Sequence, residues 1–468
     1  MKEQTNMLHD TVAAVSTPHG KGGIAVIRIS GEDTAAVLGK CFHTSGPSPA
    51  EHPRRACYGS VVRDGEVIDT CIATYFSPRA SFTGEASAEI SCHGGTAVTA
   101  AVLEAVFRAG ARPAQAGEFT RRAFLSGKLS LTQAQAVGLL IDADTDSRRR
   151  LAAGALQGTL KKKTEGICAR LTTLLASLYA TIDYPEEDLA EQSPAELSAG
   201  LCAIAEELRA LLATYRTGSA VADGVCTVIC GAPNCGKSSL YNRILGKDRA
   251  IVTDIAGTTR DVLWDTADFG GITLRLADTA GLREGGETTD PVEKIGVERS
   301  RENMDAAELL FLVLDGTRPL TRQEAQLLEA LSRRKDTVKI AVVNKADLFP
   351  VPKLNMDQVH AAVDAAVVLS AKTGAGMDRL EGAVAALYQT RDRSYAALPL
   401  IWDARHKATL EEGISLLDAA AGALDAGEPA DGACTLAEEA LAQLALLDGR
   451  GVSEEIVGEI FARFCVGK

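Results

Sequence analysis

The 468-residue chain is predicted to combine an α/β and an α class: a mixed α/β domain first, then a helical domain split by an inserted P-loop α/β module. Three observations lead there. Short β-like runs alternate with helical patterns over residues 1–125. Ala/Leu-rich stretches with helical apolar spacing occupy both 126–219 and 391–468. Between them, over 220–390, short apolar runs each end in a polar, glycine-containing loop. Each helical block alone leaves an apolar stripe unburied, so the economical arrangement is one discontinuous helical domain interrupted by the module.

A chain of this length is too long for one core and suggests about three domains. With 46% hydrophobic and 24% charged residues, it reads as a globular protein. No apolar run approaches the ~20 residues that cross a bilayer, and no signal-like apolar core follows Met1. The eleven cysteines are scattered without a C-x-x-C pair, so a cytoplasmic location with reduced thiols is expected. A net charge of −13 argues against indiscriminate polyanion binding; any nucleic-acid contact is expected to be local or shared with a partner.

In the first domain, Gly23–Ile29 is strand-like and Glu32–Cys41 helical. Tyr58–Phe76 reads as a hairpin turning at Arg63-Asp-Gly65. Ala88–Cys92 is a further strand, ending at His93-Gly-Gly95, and Thr96–Arg108 has helical spacing. In the first helical block Phe124, Leu125, Leu129, Leu131, Ala134, Val137, Leu140 and Ile141 recur at near-helical intervals. Arg148-Arg-Arg150 and Lys161-Lys-Lys163 are expected on one helix, with Arg150 and Lys161 on nearly one face roughly 16 Å apart. That spacing suits phosphates and equally a solvated face. The acidic Asp183–Asp188 ends a helix. In the second block, Ala404–Leu447 is helical with a break near Gly427-Glu-Pro429. The terminal Phe461-Ala-Arg-Phe-Cys-Val-Gly-Lys468 would waste apolar side chains as a frayed tail, so it is expected to dock on another surface.

The chemistry lies in the inserted module. Gly231-Ala-Pro-Asn-Cys-Gly-Lys-Ser-Ser239 follows the apolar run Val225–Cys230 and fits G-x-x-x-x-G-K-[ST]. Glycines let the backbone N–H groups approach phosphate oxygens. Lys237 brings charge to the β- and γ-phosphates, Ser238 is a ligand for Mg²⁺, and the helix N-terminus adds partial positive charge. Asn234, Cys235, Gly236 and Ser239 complete the phosphate-binding loop. Thr253, Asp254, Ile255, Ala256, Gly257, Thr258 and Thr259 form a polar loop able to close over the metal, with Thr259 a Mg²⁺ ligand. Asp278, Thr279, Ala280 and Gly281 fit D-x-x-G, contacting the Mg²⁺ shell and the γ-phosphate. In Asn344-Lys345-Ala-Asp347 the Asp carboxylate can accept from guanine N1 and N2, a pair adenine lacks. Ser370, Ala371 and Lys372 can direct a backbone N–H at guanine O6. Four matches in this order imply a guanine nucleotide.

Taken together, Gly22–Gly31, Ser81-Phe-Thr-Gly-Glu85, His93-Gly-Gly95, Gly117-Glu-Phe119, Arg122-Ala-Phe-Leu125, Lys128-Leu129, Ile182-Asp-Tyr-Pro185, Thr253–Asp261 and Phe464-Cys-Val-Gly-Lys468 resemble the signatures of the MnmE (TrmE) family of tRNA-modification GTPases. Val466 stands where Ile is usual and Tyr184 where Phe is common. The resemblance implies an N-terminal homodimerising domain that binds a 5-formyl- or 5,10-methylene-tetrahydrofolate, with Arg28, Glu89, Lys128 and Lys468 as contacts. It also implies a flavoprotein partner of the MnmG type carrying FAD. Together they would place a carboxymethylaminomethyl or aminomethyl group on C5 of the wobble uridine of certain tRNAs. Where Ras-type enzymes carry a water-orienting Gln this chain has Leu282; the family points instead to Glu293, acting through a bridging water. It further implies a K⁺ ion held by Asn234, Thr253, Ile255 and Thr258, completed when two GTPase modules meet. Cys465 has two readings, packing near the folate or a reactive thiol beside Lys468. Two other functions compete: a nucleotide-switched factor binding ribosomal RNA, for which a basic RNA-binding module is missing, and a folate-binding scaffold whose GTPase controls dimer closure.

Overall fold

The computed structural model describes residues 10–183, 193–247, 264–277, 307–334, 337–390 and 395–467. The chain forms two compact units, one of residues 1–138 with 445–468 and one of residues 139–444.

The first unit is built on a sheet with seven strands among the described residues: β1 (Val12–Val15), β2 (Ile24–Ser30), β3 (Phe42–His43), β4 (Cys57–Arg63), β5 (Glu66–Phe76), β6 (Ser87–His93) and β7 (Arg112–Pro113). Their order is β3-β4-β5-β6-β2-β1-β7; β1 and β7 run parallel, and the other neighbours are antiparallel. The β4–β5 hairpin turns as expected, with Asp64 and Gly65 both at positive φ (53° and 83°), the conformation a two-residue type I′ turn requires. Alternate residues Ile27 and Ile29 of β2 and Ala88 and Ile90 of β6 are buried. Val102, Ala105 and Val106 of the Thr96–Arg108 helix close over the same core.

A buried charge network locks this unit. Arg122, on the Glu118–Leu125 helix, donates to Asp10 (2.6 Å), Glu118 (2.8 Å) and Glu85 (3.0 Å) with its side chain only 3% exposed. Arg112 donates to Glu118 (2.6 Å) and Asp10 (2.5 Å). Burial opposes the charge on Asp10 and Glu118, but the two guanidinium groups, and the Gln115 N–H on Glu118, hold both carboxyls below their ordinary values. Arg122→Met removes the buried donor shared by Asp10, Glu118 and Glu85 and is expected to cost about 3–5 kcal/mol, read by denaturant unfolding. Because the folded values are depressed, the contribution is full above the ordinary values of 3.8 and 4.5 and is lost as pH falls through the folded ones. The gap between wild type and variant therefore narrows on acidification below about pH 4.

The C-terminal segment docks in this same unit, as its sequence predicts. Phe461 is 2% exposed and packs with Leu131, Ala134 and Val457. The Phe464 ring packs against it, tilted by 44° with centroids 5.4 Å apart. Val466 bridges Ala116, the Gly117 N–H donates to the Cys465 carbonyl (3.3 Å), and Ser16 Oγ donates to the Gly467 carbonyl (2.9 Å). Gly117 (φ 64°) and Gly467 (φ 97°) are needed: a Cβ would lie 2.6 Å from Phe461 O and 2.2 Å from Val15 O, respectively. Residues 445–468, expected with the second helical half, thus group with the N-terminal sheet, and so do 126–138. The reason is the apolar contact of Phe461 and Phe464 with the Leu131–Ile141 helix, which sequence spacing cannot reveal.

In the second unit the two helical blocks pack together. The Pro194–Leu212 helix opens on a capping box between Ser193 and Glu196. It buries Leu197, Leu201, Ile204 and Leu208, while the Ala404–Asp425 helix buries Leu410, Ile414, Leu417, Ala421 and Leu424. Ser198 Oγ donates to Ala421 O (3.4 Å). The break before Pro429 is present, with helices at Ala404–Asp425 and Ala430–Ala445. The basic stretch differs from expectation: it lies on two helices, Asp146–Leu156 and Thr159–Asp183, parted by Gly158 at φ 77°. Arg150 and Lys161 therefore share no helical face. Arg149 and Arg150 pair with Asp146 (2.6 Å each), and Lys163 pairs with Glu207, in keeping with the solvated-face reading. The apolar run Phe124–Ile141 is likewise interrupted, by Gly127 at φ 73° between helices Glu118–Leu125 and Leu131–Ile141.

The same unit holds β8 (Val225–Gly231), β9 (Trp264–Phe269), β10 (Ile272–Ala277), β11 (Leu309–Asp315), β12 (Val338–Asn344) and β13 (Ala365–Val368), in the order β13-β12-β11-β8-β10-β9. All pair in parallel except the β9–β10 hairpin. β11 and β12 are buried along their whole length, as strands covered on both faces are. Residues outside the sheet grip the hairpin: Thr145 Oγ1 meets Thr273 Oγ1 (2.9 Å), Ser147 Oγ donates to Asp268 (2.7 Å), and Tyr395 OH donates to Gly271 O (2.6 Å).

Candidate nucleotide-binding site

Three sequence motifs lie at the carboxyl ends of β8, β12 and β13, where open parallel sheets bind ligands. The loop after β8 leads into the Lys237–Lys247 helix. Its glycines are sterically required. Gly231 has φ 147° and Gly236 φ 103°; a Cβ on Gly231 would lie 2.3 Å from Val313 O, and one on Gly236 only 2.1 Å from Asn344 Nδ2. Lys237 Nζ donates to the carbonyls of Gly231 (3.2 Å) and Ala232 (2.9 Å), which holds it over the loop. Asn234 takes the left-handed conformation (φ 58°) and is exposed, as are Ser238 and Ser239. Cys235 is fully buried; burial pushes its thiol up, so it packs as a neutral side chain.

Asn344 joins the motifs. Its Nδ2 donates to Cys235 O (2.9 Å) and its Oδ1 accepts from Ala371 N (2.9 Å). The loop after β8 and the loop after β13 thus hang on one buried carboxamide. Asp347 is exposed, and the Ser370 hydroxyl donates to its Oδ1 (2.7 Å). That bond holds the Asp347 carboxyl below its ordinary value, leaving an oriented carboxylate facing solvent. Lys345, left-handed at φ 68°, reaches Asp315 Oδ2 (2.6 Å). Burial opposes the Asp315 charge, but Lys345 and Thr317 outweigh it and hold the carboxyl at about 2.

Of the predicted site residues, Asn234–Ser239, Asn344, Lys345, Asp347 and Ser370–Lys372 come together here. Thr253, Asp254, Ile255, Ala256, Gly257, Thr258, Thr259, Asp278, Thr279, Ala280, Gly281, Leu282, Glu293 and Lys468 lie outside the described residues. Motif reading missed Asp315 and Arg243. The first carried a signal, an acidic residue ending the apolar run Leu309–Leu314. The second carried none, since it follows Lys237 by a spacing that belongs to no phosphate motif.

The other predicted residues lie in the first unit. Arg28 on β2 pairs with Glu89 on β6 (2.8 Å), its cross-strand neighbour. The guanidinium lies over the rings of Phe82 (5.5 Å) and Phe119 (5.7 Å). Lys128 Nζ donates to Arg79 O (3.2 Å). Cys465 is exposed, and its carbonyl, not its thiol, is engaged.

A glycine-shaped P-loop tied through the Asn344 side chain to the loop of Ser370, which in turn orients Asp347, is the arrangement of a P-loop GTP hydrolase. Residues 11–128 match the family model of the GTP-binding protein TrmE N-terminus, and residues 131–465 that of the MnmE helical domain. The tRNA modification GTPase MnmE of Carboxydothermus hydrogenoformans is 37% identical over 99% of this chain and 100% of its own. That of Ligilactobacillus salivarius is 38% identical over 98% of each. The chain belongs to the MnmE family. No helix among the described residues is long and apolar enough to cross a membrane.

Proposed function

We propose that the chain hydrolyses GTP to drive modification at C5 of the wobble uridine of tRNA, together with an FAD-bearing partner of the MnmG type and a tetrahydrofolate. The observation that carries this reading is the docked C-terminal segment. Gly467 seats against β1 and Cys465 against the Gly117 turn, so the terminal motif is held in the unit that also carries Arg28 and Glu89. The Arg28–Glu89 pair, with its guanidinium over the rings of Phe82 and Phe119, offers a carboxylate to a heterocycle with donors on its edge, and Lys128 and Lys468 would meet the glutamate tail. Bound there, the folate would supply one carbon at the level of formyl or methylene.

The rest of the proposal concerns hydrolysis. Ser238 and Thr259 would hold Mg²⁺. The exposed, left-handed Asn234, with oxygens of Thr253, Ile255 and Thr258, would hold K⁺, whose charge would offset that developing on the γ-phosphate. Glu293 would orient water through a bridging water. A homodimer is supported by Tyr58 and Ile72, directly opposed on β4 and β5 and 72% and 43% exposed. Two measurements test the reading. Wobble nucleosides from a deletion strain should lose the C5 substituent by mass spectrometry; an unchanged nucleoside profile would refute the tRNA role. Replacing K⁺ by Na⁺ should slow GTP turnover by about 10³-fold, as loss of an arginine finger does, and equal rates would remove the cation from the mechanism.

A further inference from the structure

Arg243 lies on the Lys237–Lys247 helix, whose first turn is the phosphate site. Its Nε donates to Ala371 O (3.1 Å) and its Nη2 to Lys372 O (2.6 Å). Gly374, in the left-handed conformation at φ 88°, lies beside the guanidinium: a Cβ there would sit in ordinary contact, 3.5 Å from Nη1. The two carbonyls therefore belong to the loop that reads the base, and the fork belongs to the helix that reads the phosphates. From the opposite side, Asn344 Oδ1 has taken the Ala371 N–H. The Lys372 N–H makes no hydrogen bond among the described residues, and it is the donor left for guanine O6.

We infer that Arg243 is a positioning residue for guanine recognition, clamping the Ala371–Lys372 peptide so that the Lys372 N–H faces O6 when the phosphates are seated. The inference rests on the guanine-nucleotide reading and deepens it. A planar fork suits the task, because two donors in fixed geometry restrain both the position and the tilt of a peptide. A lysine would reach one carbonyl and leave the tilt free. The clamp also adds a second link, beside Asn344, between the helix that follows the phosphate loop and the Ala371–Lys372 loop.

The test pairs a variant with an edited nucleotide. GDP and 2-aminopurine riboside diphosphate, which keeps the exocyclic amine but has neither O6 nor the N1–H, are titrated against wild type, Arg243→Met and Arg243→Lys in the full chain, each nucleotide being compared only with itself across the variants. For Arg243→Met, GDP should weaken about tenfold, the scale of a charge-assisted hydrogen bond, while the O6-less nucleotide changes by less than about threefold. Arg243→Lys should fall between on GDP alone. Equal weakening of both nucleotides by Arg243→Met, as misfolding or a purely helical role gives, overturns the inference, and so does unchanged GDP affinity. The guanine reading is judged separately on wild type: it fails if GDP binds no more tightly than ADP, whatever Arg243 does.

Discussion

Asp347→Asn is expected to weaken GTP binding by a factor of about 10²–10⁴, corresponding to two hydrogen bonds to a charged group at about 1.5–3 kcal/mol each. The carboxylate accepts from Ser370 Oγ at 2.7 Å, which orients it, and that bond holds its carboxyl below the ordinary value. An amide in its place presents a donor where guanine N1 and N2 are donors too, so one pair becomes repulsive. Xanthine carries an oxygen at C2 in place of the amine, and the amide can donate to it. Xanthosine triphosphate should therefore regain most of the lost affinity in the variant while binding wild type poorly. Competition titration of the two nucleotides checks both halves, and a variant that loses GTP without gaining xanthosine triphosphate would show that Asp347 serves only the fold of its loop.

The second large effect is expected at Gly236. A methyl there would sit 2.1 Å from Asn344 Nδ2 in a backbone at φ 103°, a region L-residues enter at about 1–3 kcal/mol. Asn344 must move, and it holds both Cys235 O and Ala371 N at 2.9 Å. Strain and two lost hydrogen bonds together come to about 2–6 kcal/mol. Gly236→Ala should accordingly bind GTP at least about 30-fold more weakly. The clearest readout is thermal: GTP raises the melting temperature of wild type by mass action, and it should leave that of the variant unmoved. A full thermal shift in the variant would mean that Asn344 is not the link.

How much of this was legible depends on how local the signal is. The hairpin at Asp64–Gly65, the helix at Thr96–Arg108 and the phosphate loop each need only neighbouring residues in a fixed backbone conformation, and each lies where the residues predicted. The basic helix did not. Arg150 and Lys161 share a helical phase on paper, but Gly158 at φ 77° ends that phase, and an isolated glycine within helical spacing is weak evidence by itself. The Arg112–Arg122 network was invisible for another reason: Asp10 and Arg122 stand 112 positions apart, and nothing in either neighbourhood names its partner.

Residue types at short spacing were enough to determine that this chain binds guanine nucleotide, which family it resembles, and that its last residues would not hang free. Those features follow from steric and hydrogen-bonding demands made within one loop or one helical turn. Only the tertiary structure decided which surface receives the C-terminal segment, that Asn344 ties the loop after β8 to the loop after β13, and that Arg243 grips the Ala371–Lys372 peptide. Such contacts arise when distant stretches are packed side by side. Their energy depends on distance in space, and a one-dimensional string of residues holds no measure of it.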